Sequence, residues 1–155
     1  MIEQHIVAGT IVPVEVTCSL LASAMERHSV NRATEGDSAF GAGRFLIDGF
    51  PRNQNNQDGW QATMSDKVNL KFVLFFDCDD DVCVKRCLQR GAAGSGRSDD
   101  NEESLRKRFK TFANETYPII QHYQRLGLVK RIDASRPPNE VFEDVKHAFD
   151  EKNEN

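Results

Sequence analysis

The chain has 155 residues, and 20 Lys+Arg against 24 Asp+Glu give a formal charge of −4. That length suits one domain, and 39% apolar with 28% charged residues is an ordinary soluble globular composition. The negative balance argues against a nucleic-acid polymer or an acidic membrane as partner, and no apolar run approaches the ~18 residues of a membrane span.

In chain order, Ile2, Ile6 and Val7 form the end of a helical stripe over Met1–Val7 that Gly9 stops, so the chain begins inside a helix. Nothing there resembles a secretory signal, so the expectation is a soluble intracellular domain. After an extended Ile11-Val12-Pro13-Val14, the spacing predicts an amphipathic helix over Cys18–His28, with Leu20, Leu21, Ala24 and Met25 on one face. Ser29–Gly43 is polar, contains Gly36, Gly41 and Gly43, and reads as a loop. Phe45-Leu46-Ile47 and Phe72-Val73-Leu74-Phe75-Phe76 are continuous apolar runs, as in strands buried on both faces of a parallel sheet, and Leu128–Ile132 is a third candidate strand. Helical patterns cover Asp81–Arg90, Asn101–Leu126 with a kink or split at Pro118, and Pro138–Phe149. Strands alternating with helices predict an α/β fold. The four cysteines, Cys18, Cys78, Cys83 and Cys87, form no C-x-x-C pair and read as buried reduced thiols rather than a zinc site.

Two stretches could carry chemistry. Asp48-Gly49-Phe50-Pro51-Arg52 directly follows a predicted strand, where open parallel sheets bind ligands. A carboxylate there can hold Mg²⁺ through water and an arginine can grip phosphate. The alternative is a turn whose aspartate caps the next helix. Arg86, Arg90, Arg97, Arg106 and Arg108 surround the glycine-rich Gly91–Asp100 loop. Their anionic partner is either polyphosphate, under a lid that the loop forms, or the nearby Asp99 and Asp100; a solvated basic face is the alternative. No G-x-x-x-x-G-K-[ST] and no G-x-G-x-x-G after a strand occurs in these residues, and no Ser/His/Asp or Cys/His arrangement gains support.

Phe45-Leu46-Ile47-Asp48-Gly49-Phe50-Pro51-Arg52 resembles the signature of the adenylate kinase family of nucleoside monophosphate kinases, most closely the branch that accepts CMP or UMP. The likeness runs through Thr10–Glu15, Asn53–Trp60, Phe72–Cys78, Ser95–Asn101 and Ile132–Ser135, nearly the whole chain. It implies the phosphate-loop kinase fold, α/β with a parallel sheet under helices, and phosphorylation of CMP or UMP to CDP or UDP. ATP would be the phosphoryl donor and Mg²⁺ the metal. Carried over residue by residue, Arg52 binds the acceptor monophosphate together with Gly49, Phe50 and Pro51, and Thr10, Ile11 and Val12 line that nucleotide. Asn56 stands where a base-reading glutamine is usual and looks like the pyrimidine form; an amide that can flip offers a donor to one base and an acceptor to the other. Arg90 and Arg97 resemble lid arginines over the 91–100 lid, and Arg108 the helix arginine that grips the transferring phosphoryl group. Asp99 and Asp100 resemble the pair that locks the closed lid. Asp48 would belong to the Mg²⁺ water shell, and Arg136, with Arg90, to the ATP site. The lid has one more residue between Arg90 and Arg97 than the pattern leads one to expect.

The family pattern opens with a strand, a Gly-rich loop bearing a catalytic lysine, and two helices, the second carrying another acceptor-binding arginine. None of these is found in the 155 residues, and Met1 aligns within the next helix. The expectation is therefore a single incomplete domain over 1–155, amino-terminally truncated, with 1–31 a remnant of the monophosphate-binding region. Its sheet would lack the central strand, and the chain alone would have negligible kinase activity. A non-catalytic nucleotide-binding or regulatory fragment is the alternative; a kinase with AMP as acceptor is another, against which Asn56 argues. The resemblance further implies a cytoplasmic monomer, also present in the nucleus.

Overall fold

Pro13 pre-organises the first described helix, accepting from the N–H groups of Val16 and Thr17 at 3.1 and 3.3 Å. The structure, a computed structural model, describes residues 13–34, 43–96 and 100–150, the side chains of 29–34 excepted. The readings placed on Met1–Val7, Thr10, Ile11, Val12, Arg97 and Asp99 fall outside these residues. The chain divides into two units, Met1–Leu70 and Lys71–Asn155.

In the first unit, α1 (Val14–Thr34) is longer at both ends than predicted. Val14 is helical rather than extended, and residues 29–34 continue the helix where a loop was expected. Polarity alone does not break a helix, and no glycine or proline intervenes before Gly36. Leu20, assigned to the apolar face, is exposed. The second helix, α2 (Gln54–Met64), starts at Asn53, whose Oδ1 accepts the Asn56 N–H at 2.9 Å. Val14, Cys18, Trp60 and Met64 form the core of this unit. The helices cross at Gly59, where a Cβ would lie 2.5 Å from Val14 Cγ2.

Phe45–Ile47 does not form the predicted strand. A strand exists through its ladder of hydrogen bonds, and among the described residues nothing pairs with this run. Leu46 consequently stands 83% exposed.

The second unit holds β1 (Val73–Asp77), α3 (Asp80–Ala92), α4 (Glu102–Thr111), a π-helical turn (Phe112–Thr116), α5 (Tyr117–Arg125), β2 (Val129–Asp133) and α6 (Pro138–Asp150). The two strands pair in parallel, Val73 opposite Val129 through Asp77 opposite Asp133. Helices alternate with them, so the predicted α/β class is present. Leu105, Ile119, Tyr123, Ile132 and Ala148 are buried. Phe76, read as buried, is 51% exposed, because β1 has one strand neighbour among the described residues.

The long helical pattern from Asn101 divides where Pro118 predicted. Proline has no N–H to reach the Asn114 carbonyl, and its ring crowds that oxygen. The backbone answers by widening into the π turn immediately before, and the Tyr117 N–H donates to the Phe112 carbonyl. Phe112 and Tyr117 then stack around Phe75 of β1, with ring centroids 6.2 and 6.4 Å away. No helix among the described residues is long and apolar enough to cross a membrane.

Candidate functional site

Residues 45–56 and one face of α1 enclose a cleft of about 650 Å³. Thr17, Leu21, Ala24, Met25 and His28 recur at helical spacing along α1 and face it. The opposite wall comprises Phe45 to Phe50, Arg52 and Asn56. The Phe45 ring meets His28 edge-on at 6.0 Å. Five residues with assigned roles, Asp48, Gly49, Phe50, Arg52 and Asn56, thus lie on one cleft, with Pro51 between two of them in the chain.

Local chemistry fixes this wall. Gly49 has φ +66°, the left-handed region that L side chains avoid. That turn brings Arg52 back over it, and Arg52 Nε donates to the Gly49 carbonyl at 2.5 Å. A Cβ at position 49 would lie 2.6 Å from Arg52 Nη2, so glycine is required twice over. The Arg52 N–H donates to Asn56 Oδ1 at 3.2 Å. This bond orients the Asn56 amide: a flip would set an N–H against the Arg52 N–H. In this orientation Asn56 Oδ1 is engaged by the backbone, which leaves Nδ2 as the donor the amide can offer.

Asp48 is exposed at the cleft. No group of three or more His, Cys, Asp or Glu among the described residues makes a metal cage. Mg²⁺ needs none: it keeps several waters and takes one or two carboxylates plus phosphate oxygens. A single accessible carboxylate such as Asp48 fits that role.

The second unit sorts the arginine cluster into separate tasks. Arg90 grips Asp100 with two hydrogen bonds, Nε to Oδ2 at 2.9 Å and Nη2 to Oδ1 at 2.5 Å. The Asp100 side chain is 1% exposed and also accepts from Ser95 Oγ at 2.8 Å. This pair joins α3 to the far end of the glycine-rich loop. Arg86 does not face the loop: Nη1 donates to the Ala134 carbonyl at 2.5 Å, and Nη2 to those of Ser135 and Arg136 at 2.9 and 3.1 Å. Arg106 pairs with Glu102 one turn away on an exposed face, the solvated alternative. Arg108 is exposed in the last turn of α4.

Arg136 Nη2 bonds Asp144 of α6, and this pairing holds its guanidinium value above the ordinary one. The Ser135 N–H donates to Asp133 Oδ1 at 2.9 Å and holds the Asp133 carboxyl below the usual range. Arg131 bonds Asp77 across the strands, which raises its value. The 133–136 turn is thereby tied to α3 through Arg86 and to α6 through Arg136.

The residues of α1 that face the cleft were missed as site residues. The signal lay in the recurrence of Leu21, Ala24 and Met25, read only as one face of an amphipathic helix. The Arg90–Asp100 pair spans a loop and has no periodic signature.

Residues 1–128 match the family profile described as Adenylate kinase. Over 152 residues the chain is 50% identical to the UMP-CMP kinase of Gallus gallus and 49% identical to that of Homo sapiens, covering 98% of this chain and 74% of each relative. Over 150 residues it is 51% identical to the UMP-CMP kinase of Danio rerio, covering 97% of this chain and 72% of that protein.

Proposed function

Because the chain belongs to the adenylate kinase family, and is by family a phosphotransferase, we propose that its cleft takes a pyrimidine nucleoside monophosphate, CMP or UMP, as acceptor for the γ-phosphoryl group of ATP. The observation that carries this reading is the placing of Asp48, Arg52 and Asn56 on one cleft of about 650 Å³, within the range of small-ligand sites. Arg52 supplies a fixed positive charge for the acceptor phosphate. Leu21, Met25 and Phe45 give an apolar wall for a base. The Asn56 Nδ2 donor suits an acceptor that both pyrimidines carry, the O2 carbonyl, and would so serve either base. Asp48 would hold Mg²⁺ through water, and the ion would supply positive charge against the phosphates.

Arg90, Arg97 and Arg108 would neutralise the transferring group, Asp99 and Asp100 would stabilise the closed lid, and Thr10 to Val12 would complete the acceptor pocket. Arg136 would flank the ATP base. The 155 residues hold no G-x-x-x-x-G-K-[ST], the element that cradles the donor phosphates in phosphate-loop enzymes. For these residues alone we infer nucleotide binding without efficient transfer.

Calorimetric titration of the 155-residue chain tests the binding reading. CMP and UMP should bind more tightly than AMP, and Arg52→Ala should weaken both by ~10-fold or more, since a charged hydrogen bond contributes ~1.5–3 kcal/mol. Tighter binding of AMP, or no effect of the substitution, would refute it. A coupled assay with ATP, Mg²⁺ and CMP reaching ~1–100 s⁻¹, the usual kinase range, would refute the absence of efficient transfer.

A further inference from the structure

Three of the four cysteines gather around the start of α3, outside every role assigned so far. Cys78 opens the short segment that leads from β1 to α3, and Cys83 lies in the first turns of α3. The Cys83 thiol points back at this segment, with Sγ 4.0 Å from the Cys78 carbonyl, and the Cys78 side chain is, after burial, among the causes that push the Cys83 thiol up. Cys78 Sγ receives two further donors, Arg86 Nη1 and Ser135 Oγ, each at 3.9 Å. Cys87, one turn beyond Cys83, faces Arg90 Nη2 at 3.9 Å instead. Cys78 and Cys83 are both half-buried, open enough for a small oxidant.

The two thiols differ in surroundings. A guanidinium and a hydroxyl converge on Cys78 Sγ, each at 3.9 Å, whereas Cys83 Sγ faces the Cys78 carbonyl. Burial pushes the Cys83 thiol up to about 11, so it keeps its proton at neutral pH.

We propose that Cys78 and Cys83 form a peroxide-responsive dithiol site, with Cys78 the attacking sulfur and Cys83 the resolving one. Cys78 sulfur attacks hydrogen peroxide: an S–O bond forms, the O–O bond breaks, and hydroxide leaves as water with the Cys78 proton. Cys78 is oxidised to the sulfenic acid and the peroxide is reduced. Cys83 sulfur then attacks Cys78: the S–S bond forms, the S–O bond breaks, and the hydroxyl leaves as a second water with the Cys83 proton. The disulfide withdraws Cys78 from Arg86 and Ser135 and so loosens the 134–136 turn. The proposal stands apart from the kinase reading, and its test requires no nucleotide.

Trypsin provides a direct readout. Cleavage after Lys71 and Lys85 releases Phe72–Lys85, which holds both Cys78 and Cys83, whereas Cys87 falls in Cys87–Arg90. The native 155-residue chain is treated with stoichiometric hydrogen peroxide, its remaining thiols are alkylated, and the digest is weighed. The expected product is Phe72–Lys85 lighter by two hydrogens and unalkylated, exceeding any Cys83–Cys87 cross-link by ~10-fold. In guanidinium chloride the preference should fall to within ~2-fold, because the two loops are of similar length. Cys83→Ser should stop Cys78 at a sulfenic acid that dimedone traps, and Cys87→Ser should leave the disulfide intact. A dominant Cys83–Cys87 link, equal oxidation of all cysteines, or the same selectivity in denaturant would overturn the proposal.

Discussion

Gly59 in α2 should resist replacement by alanine, although helix propensity argues for it. Alanine in a helix interior is favoured over glycine by about 1 kcal/mol. Against this, a Cβ at position 59 would lie 2.5 and 2.8 Å from the two γ-carbons of Val14 and 3.2 Å from its Cβ. Apolar carbons prefer separations of ~3.5–4 Å. Val14 is only 6% exposed, so it has no room to swing aside. Overpacking at a closed site costs ~1–3 kcal/mol, which leaves Gly59→Ala destabilising by roughly 0–2 kcal/mol net. Val14→Ala removes the clashing methyls, and in that background Gly59→Ala should stabilise by up to ~1 kcal/mol. The sign reversal is the test, read as a double-mutant cycle from urea unfolding. Trp60, the sole tryptophan, is 8% exposed beside the crossing and supplies the fluorescence signal. Stabilisation by Gly59→Ala in the parent chain, or a coupling energy within ~0.5 kcal/mol of zero, would refute the steric account. Thr17 and Asn56 lie one turn from the crossing and line the cleft, so CMP affinity should follow the same pattern.

Gly49→Ala should weaken CMP by ~10-fold in calorimetry: the left-handed backbone adds ~1–2 kcal/mol of strain, and the new Cβ displaces the Arg52 guanidinium. Unchanged affinity would separate Arg52 from the acceptor. Asp100→Asn, which removes the charge from a side chain 1% exposed, should loosen the 91–100 loop and lower stability by ~1–3 kcal/mol, seen as faster limited proteolysis near Gly94. Cys83, with its thiol raised from 9.0 to about 11, holds its proton more tightly when folded. That contribution is complete below pH 9 and is lost as pH rises toward 11, so melting temperature should fall across this window. Cys83→Ala should flatten that part of the profile.

Much of the fold was legible because its determinants are local. Aspartates before α3, Pro138 at the start of α6 and Asn101 before α4 each mark a boundary that the structure places within a residue or two. The split at Pro118 was also legible, since a missing N–H acts wherever it falls; that the chain would widen into a π turn was not. Strands fared differently. Val73–Asp77 and Val129–Asp133 pair with each other and formed, whereas Phe45–Ile47, equally apolar, did not. Hydrophobicity nominates a strand, and only a partner makes one.

The site divides along the same line. The stretch from Asp48 was recognisable because its geometry is local, written within nine residues: a left-handed glycine, an arginine folded back onto its carbonyl, and Asn56, four residues on, that takes the arginine N–H. The arginine cluster was ambiguous because identical side chains acquire different partners only once the chain closes on itself. Arg86 meets carbonyls 48 to 50 residues away, Arg90 meets a carboxylate ten residues on, and Arg106 stays on its own helix. Pairing with Asp100 and a solvated face are each seen for one arginine of that cluster, and tertiary contact assigned each residue. The same long-range closure brings Ser135 and Arg86 onto Cys78, so the dithiol could be found only in the structure.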